Sequence, residues 1–214
     1  TAGQIHDMDG DGDLDIVKNT TLYDVFPWNS RGVIVLFNDG TGNFPTWQNL
    51  VPSASPYMFE VVDFNGDGLL DLYVVDDGAD KVLIATSHEA DVSLGFTTTN
   101  LGFSSTNGFG GNVHAADLDL DGDVDVVVSD VDVDIPPCNS SRRMAIYENV
   151  NGTFQDPYGT DAFDWVTNSY DVALLDINND GLVDIFSGKC QGYEVIMSNN
   201  CALAASSADY DLDG

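Results

Sequence analysis

The chain has 214 residues, of which 36 are Asp or Glu and only 6 are Lys or Arg, giving a formal net charge of −30 at pH 7. This balance excludes a nucleic-acid-binding protein that relies on a basic face, and it disfavours a protein held on anionic lipid. With 43% hydrophobic residues, the chain is too apolar for a disordered acidic tail. No apolar run reaches the roughly 18 residues needed to span a membrane, so we expect no membrane insertion. The acidic residues must therefore occupy particular places in a folded protein.

One acidic motif recurs along the chain. It reads DMDGDGDLD at 7–15, DFNGDGLLD at 63–71, DLDLDGDVD at 117–125 and DINNDGLVD at 176–184. We number these complete copies loops 1 to 4, and all of them follow the pattern D-x-[DN]-x-D-G-x-x-D. A fifth copy, DYDLDG at 209–214, ends with the sequence, so we expect the chain to be a piece of a longer protein.

The spacing of the motif is that of a cation-binding loop. Side-chain oxygens at positions 1, 3, 5 and 9 and a backbone carbonyl at position 7 can surround a hard cation, while Gly at position 6 allows a sharp turn. A flexible loop rich in oxygen ligands favours Ca²⁺ over Mg²⁺. The alternative, that Asp, Asn and Gly simply form turns, does not account for carboxylates that converge and repel one another. The predicted calcium ligands are Asp7, Asp9, Asp11, Asp13 and Asp15 in loop 1; Asp63, Asn65, Asp67, Leu69 and Asp71 in loop 2; Asp117, Asp119, Asp121, Asp123 and Asp125 in loop 3; Asp176, Asn178, Asp180, Leu182 and Asp184 in loop 4; and Asp209, Asp211 and Asp213 in the fifth copy.

The residues after each loop exclude an EF-hand. An EF-hand needs Glu at position 12 and helices on both sides. Position 12 is instead Lys18, Val74, Val128 or Ser187, and a run rich in β-branched residues follows every loop. The loops are therefore predicted to connect strands.

Each repeat predicts a series of short strands. The strands that enter a loop are predicted at 59–62, 112–116 and 171–175, and the third strands at 33–38, 81–86, 144–149 and 193–198. The second strand begins at position 9 of each loop, and a turn rich in Gly and Asn precedes a fourth strand. Four antiparallel strands within the 54–59 residues that separate the complete copies match the length of a propeller blade.

These motifs resemble FG-GAP/VCBS repeats, which occur in the propellers of integrin α-subunits and in many secreted bacterial proteins. The resemblance rests on the acidic loops, the hydrophobic strands that follow them and the NDGTGNF turn at 38–44. It covers residues 1–214 as a single repeat region. It implies an all-β fold of about four four-stranded blades, with Ca²⁺ in the hairpin between the first two strands of each blade. Such propellers commonly need about seven blades, or roughly 390 residues, so an open array with exposed edges is the alternative to a closed ring.

The resemblance also implies a function. We expect a secreted or cell-surface segment that binds calcium and serves adhesion or the binding of a protein or carbohydrate ligand, without catalysis. One alternative is a subunit that self-associates into an extracellular fibre or surface layer. A polysaccharide-cleaving enzyme is less favoured, because the sequence contains no nucleophile elbow, zinc-binding helix motif or phosphate loop.

The cysteines permit one disulfide bond. Cys138 and Cys190 occupy equivalent places in adjacent repeats and could form a disulfide bond, which would leave Cys201 without a partner in this segment. The alternative is that all three cysteines are inert thiols. An extracellular setting would allow such a bond.

A few other residues suggest contacts with ligands or glycans. The candidates are the glycosylation sequons at Asn19, Asn139 and Asn151, the basic turn at 139–143, and Trp28, Trp47, Trp165 and Tyr158. The alternative for the basic turn is that it balances the charge of nearby aspartates. The aromatic residues could stack on sugar rings, but we expect them to be buried in the blades. His6 and His114 precede acidic loops and are expected to pack or form hydrogen bonds there.

Overall fold

The computed structural model describes residues 2–20, 31–76, 78–89, 93–101, 111–129, 144–155, 169–189 and 193–196. In these ranges the regular structure consists of fifteen β-strands, which confirms the predicted all-β fold. No helix within the described ranges is long and apolar enough to cross a membrane. The chain divides into two compact units, Thr1–Gly102 and Phe103–Gly214.

The first unit contains two four-stranded sheets. The first sheet is formed by β1 (Gly3–His6), β2 (Asp15–Thr20), β3 (Gly32–Phe37) and β4 (Thr46–Asn49). The second sheet is formed by β5 (Pro56–Val62), β6 (Asp71–Asp76), β7 (Asp80–Glu89) and β8 (Ser93–Leu101). Within each sheet the strands follow chain order and all neighbours are antiparallel. This is the strand order of a propeller blade.

The second unit repeats this arrangement. The third sheet is formed by β9 (Asn112–Ala116), β10 (Asp125–Ser129), β11 (Met144–Val150) and β12 (Thr153–Gln155). The fourth sheet is formed by β13 (Ser169–Leu175), β14 (Asp184–Lys189) and β15 (Tyr193–Ile196), three strands among the residues that are described. Loops 1 to 4 each join the first strand of a sheet to the second, as predicted.

The predicted strands are present, with differences at their ends. Each of the seven predicted entering and third strands overlaps an observed one, and β4, β8 and β12 supply the predicted fourth strands of three sheets. The largest extension is in β7, which runs to Glu89 because its pairing with β8 continues past a register shift between Ala85 and Ser87.

Buried apolar side chains hold neighbouring sheets of a unit together. Every residue of β6 and β10 is buried, as expected of inner strands that are covered on both faces. In the first unit, Val17 and Val35 of the first sheet share a core with Phe59 and Val74 of the second. Side-chain amides join these two sheets as well: Gln48 accepts the Leu94 N–H at 2.7 Å and donates to the Leu94 carbonyl at 2.8 Å.

The core of the second unit is built in the same way. Val127 and Ile146 of the third sheet pack with Val172 and Ile185 of the fourth. Leu118, at position 2 of loop 3, belongs to this cluster. Met8 and Phe64, at the same position of loops 1 and 2, are also buried, whereas Ile177 of loop 4 is 38% exposed. Loops 1 to 3 therefore each have a buried apolar residue next to their first aspartate.

Candidate metal centre

Each acidic loop wraps back onto its first aspartate. In every complete loop the N–H of the position-6 glycine donates to a carboxylate oxygen at position 1. The N···O distances are 3.1 Å from Gly12 to Asp7, 2.8 Å from Gly68 to Asp63, 3.2 Å from Gly122 to Asp117 and 2.9 Å from Gly181 to Asp176. These four glycines have φ between 87° and 100°, the left-handed region that favours glycine, so the predicted turn at position 6 is confirmed.

The position-9 aspartate is buried and anchors the loop to its sheet. One of its oxygens accepts the N–H of position 2 in all four loops, at 2.8–2.9 Å. In loops 1 to 3 the other oxygen accepts an N–H from the third strand of the same sheet or from the residue after it. These donors are Asn38 at 2.9 Å for Asp15, Ala85 at 2.7 Å for Asp71 and Asn149 at 2.9 Å for Asp125. A carboxylate has about four lone-pair sites, so these bonds leave room for a metal.

Burial changes the acidity of these anchors. It raises the pKa of the Asp125 carboxyl to about 6, and the charges of Asp119 and Asp121 act in the same direction, while two backbone N–H groups oppose the rise. Burial also raises the pKa of Asp15 and Asp71. The pKa of Asp119 is raised too, by burial and by the carboxylates around it. Ionisation of these carboxyls is therefore harder than that of a carboxyl in water, and a nearby positive charge would favour it.

Three carboxylates converge in two of the loops. The groups are Asp7, Asp9 and Asp15 in loop 1, and Asp117, Asp119 and Asp125 in loop 3, each offering oxygens that lie within 4.8 Å of one another. Oδ1 of Asp117 is buried and has no hydrogen-bond partner among the residues that the structure describes, although buried polar atoms are normally paired. A set of hard oxygen donors with one orphaned oxygen fits a hard divalent cation such as Ca²⁺.

The aspartates at positions 5 and 7 are placed differently. Among the described residues they are not members of the two three-carboxylate groups. Asp11 accepts the N–H of Asp13 at 2.8 Å, and Asp121 accepts the N–H of Asp123 at 2.9 Å. The Asp123 side chain accepts the Asn151 N–H at 2.8 Å, in the turn between β11 and β12. Metal binding by these positions stays a prediction.

Asn replaces Asp at position 3 of loops 2 and 4. In loop 2 the Asn65 amide oxygen accepts the Asp67 N–H at 3.1 Å, and its nitrogen donates to Asp67 Oδ2 at 3.0 Å. Loop 4 repeats this pair of bonds between Asn178 and Asp180, at 2.9 Å and 3.0 Å. The sequence shows that these two loops have one carboxylate fewer, from which weaker calcium binding is expected, but it does not show the hydrogen bond that the Asn nitrogen donates.

Position 4 of the loops has a backbone requirement that the motif does not state. That residue has positive φ in every loop: 75° at Gly10, 70° at Gly66, 64° at Leu120 and 60° at Asn179. The sequence does indicate this conformation, because position 4 is Gly in two loops and Asn in one, and these residues adopt the left-handed region most readily. Gly10 has a second constraint, because a Cβ there would lie 2.8 Å from the His88 ring.

One glycosylation candidate is wrong. Asn19 is fully buried, its amide oxygen accepts the Ala2 N–H at 2.7 Å, and its nitrogen donates to the carbonyls of Pro56 (3.1 Å) and Tyr57. A side chain bonded in this way has no room for a glycan in the folded protein. Asn151, by contrast, lies exposed in a turn.

The histidines and one tryptophan can be placed. The His6 ring lies 2.9 Å from the Gln4 amide oxygen, and burial lowers the pKa of His6. The His114 ring lies 3.3 Å from Asp171. Trp47 is 41% exposed on β4, so the interpretation of this residue as a buried blade aromatic is wrong.

Other predictions fall outside the described residues. These are Asp209, Asp211 and Asp213 of the fifth copy, Cys138, Cys190 and Cys201, the sequon at Asn139, the basic turn at 139–143, and Trp28, Tyr158 and Trp165. They stay predictions.

Comparison with known proteins agrees with the repeats seen in the structure. A family model described as an FG-GAP-like repeat matches the chain twice, over residues 7–74 and 63–128, together more than half of its length. Both matches begin at the first aspartate of an acidic loop. No curated protein matches the chain.

Proposed function

This chain belongs to the FG-GAP-like repeat family, and from that premise we propose that it is a calcium-stabilised extracellular module that binds a protein or carbohydrate ligand without catalysis. FG-GAP repeats typically occur in extracellular proteins and are often involved in adhesion or ligand binding. The proposal gives the acidic loops a structural role and assigns recognition to other surfaces.

The observation that carries the calcium assignment is the carboxylate group of loop 3. Asp117, Asp119 and Asp125 bring three negative charges together, and the described residues supply no cation or donor to Asp117 Oδ1. Like charges a few ångströms apart repel, and a buried unpaired oxygen costs free energy. A divalent cation held by these residues would remove both penalties.

Calcium, when bound, supplies the positive charge that the loop lacks. The chain's own residues do the rest. The Gly122 N–H holds Asp117 in place, and Asp125 fastens the end of the loop to β11 through the Asn149 N–H. A loop held at both ends in this way presents its carboxylates already close together, so little further ordering is needed on binding.

Recognition is assigned to exposed side chains outside the loops. Trp47 lies on β4, an edge strand of the first sheet, with 41% of its surface exposed. An exposed indole offers an apolar face and an N–H donor, which suits a sugar ring or a protein side chain. Replacing Trp47 with Ala should then weaken ligand binding and leave calcium binding unchanged.

Calcium dependence of stability tests the structural role. With dissociation constants of about 0.1–1 mM and about 1 mM free Ca²⁺, each occupied site adds roughly 0.4–1.4 kcal/mol to the free energy of unfolding. The melting temperature should therefore fall in EDTA and recover when Ca²⁺ is restored. Asp117→Asn should reduce the response, whereas Glu148→Gln, which removes one charge from β11 outside the loops, should not. Equal melting in Ca²⁺ and EDTA would overturn the calcium assignment.

Two further assays separate the proposed role from its alternatives. A glycan-binding screen run beside a reducing-end release assay distinguishes a binding module from a polysaccharide-cleaving enzyme. Light scattering of the calcium-loaded protein distinguishes a discrete particle from a fibre. Release of reducing ends, or long assemblies that dissociate in EDTA, would replace the binding role with the corresponding alternative.

A further inference from the structure

Four apolar side chains form a row across one face of the first sheet. Cross-strand pairing joins Ile5 to Ile16, Ile16 to Leu36 and Leu36 to Trp47. Residues directly opposite each other on antiparallel strands point to the same face, so we call these four residues the apolar row. Ile5 is 63% exposed and Trp47 is 41% exposed, while the two residues between them are half-buried. Ile34 shares this face and is buried, so the face is covered there and open at the row.

In the second sheet the equivalent row is buried. Val61 stands two residues before loop 2, as Ile5 does before loop 1, and pairs with Leu72. Leu72 pairs in turn with Leu83. These three side chains are at most 4% exposed and share a core with Val17 of the first sheet. Val17 lies on the face of the first sheet opposite to the apolar row, because side chains alternate along a strand.

The second unit repeats this packing. Leu174 stands two residues before loop 4 and pairs with Ile185. Both pack in a cluster with Val127 of the third sheet. Val127 and Val17 each occupy position 11, counted from the first aspartate of the loop. We call the face that carries position 11 the covering face, because in both units it covers the row of the following sheet.

The covering face of the fourth sheet is exposed. Phe186 is at position 11 there and stacks on Tyr193, with ring centroids 5.2 Å apart. Tyr193 pairs with position 13, as do Val33 in the first sheet and Met144 in the third. Val33 and Met144 are buried, whereas Tyr193 is 60% exposed. The fourth sheet therefore presents aromatic surface at a place that is covered in the two sheets that have a covered partner row.

We propose that the apolar row of the first sheet binds the covering face of the fourth sheet in a second copy of this chain. The occupant follows from the chain itself, since in each unit such a row packs on such a face. A contact of this kind joins two different surfaces, so it is heterologous. The inference goes beyond the proposed function and does not depend on calcium. Because the row includes Trp47, ligand binding at Trp47 should compete with self-association.

Lys substitutions on the two surfaces of the full chain test the contact. Ile5→Lys puts a charge in the apolar row, and Tyr193→Lys puts one on the covering face. Both side chains are at least 60% exposed, so the variants should fold, which circular dichroism checks. Asn100→Lys, on the exposed surface of β8, adds the same charge outside both surfaces and is the matched control. Light scattering over a range of protein concentrations, in Ca²⁺, measures the size of each variant.

The unmodified chain and Asn100→Lys should associate to the same extent. Ile5→Lys and Tyr193→Lys, each measured alone, should associate at least roughly tenfold more weakly, because each would bury a charge in an apolar contact. An equimolar mixture of these two variants should form mixed dimers, since one partner keeps its covering face and the other keeps its apolar row. An open-ended assembly of the unmodified chain that is lost in both variants would also support the contact, and would assign it to the fibre alternative.

The outcomes that overturn the inference differ from those that overturn the function. A chain that is monomeric at every concentration would refute the contact and leave the row to another repeat or to a ligand. Association that is lost in Ile5→Lys but kept in Tyr193→Lys would mean that two rows meet, and would also refute it. Neither result affects the calcium role, which melting in EDTA tests separately.

Discussion

Leu120 offers a direct test of the loop geometry. It is the one residue at position 4 of loops 1 to 4 that is neither Gly nor Asn, and its φ of 64° lies in the left-handed region. This region costs an ordinary L-residue roughly 1–2 kcal/mol, whereas Asn tolerates it better. Leu120 is 58% exposed, so less than half of its surface is buried. Replacing it therefore loses about 1 kcal/mol of hydrophobic stabilisation, less than half of what a fully buried Leu contributes.

Leu120→Asn therefore combines a gain in backbone energy with a loss of burial. Leu14 provides the matched control, since it is 57% exposed in loop 1 and is not among the positive-φ residues. Leu14→Asn should lose a similar amount of buried apolar surface without any gain in backbone energy. The free energy of unfolding of Leu120→Asn should thus exceed that of Leu14→Asn by about 1 kcal/mol.

Urea unfolding followed by circular dichroism, in Ca²⁺ and again in EDTA, would measure this difference from the midpoints at equal slope. Leu120→Ala is a second control at the same site, because it removes the side chain and keeps a residue that disfavours positive φ. If Leu120→Asn and Leu14→Asn lose stability equally, the backbone at position 4 is not strained and the reasoning fails.

Three further changes test other parts of the structure. The pKa of Asp125 in the metal-free fold is about 6, above the ordinary value of 3.8. Between pH 6 and pH 3.8 the folded protein therefore binds more protons than the unfolded chain. For this reason Asp125 increases the free energy of unfolding of the metal-free protein as the pH falls from 6 to 3.8. Calcium affinity should fall over the same window, since binding requires the carboxylate, and an affinity that is equal at pH 7 and pH 5 in calorimetric titrations would contradict this. Gly10→Ala should destabilise the protein more than Gly66→Ala in thermal melts, because both have positive φ but only the first would bring a Cβ to 2.8 Å from a histidine ring; equal losses would show that the ring moves aside freely. Asn19→Ala should cost about 1–3 kcal/mol in urea unfolding because it leaves buried backbone groups unpaired, whereas Asn100→Ala, on the exposed surface of β8, should change stability by less than about 0.5 kcal/mol; a small loss for Asn19→Ala would mean that water replaces its bonds.

The sequence was sufficient for the loops and for the strands beside them. The motif places its glycine at the position that needs positive φ, and the apolar runs after Asp71 and Asp125 form the fully buried strands β6 and β10. These features are local: they depend on the order of residues within about ten positions, which a periodic pattern records directly.

The features that the sequence did not reveal depend on distant partners. Asn19 matches a sequon, but residues 37 and 38 positions away bury its amide. Trp47 lies on β4, an edge strand of its sheet, with 41% of its surface exposed, so its apolar character was misleading. The donor role of Asn65 and Asn178 also requires the direction of the amide, which the letter N in a motif does not specify.

The aspartate at position 9 anchors loops 1 to 3 to their sheets, and this affects how repeats can be added to such a chain by duplication. The N–H groups that Asp15, Asp71 and Asp125 accept belong to the same sheet or to the residue just after its third strand, so loops 1 to 3 are each anchored by their own repeat. The starts of the copies are separated by 56, 54 and 59 residues. A stretch of that length that begins at the first strand of a sheet carries a loop together with the strands that fasten it. A duplication of that stretch would therefore add a complete, self-fastening loop, and changes such as Asp to Asn could then accumulate in one copy without disturbing the others.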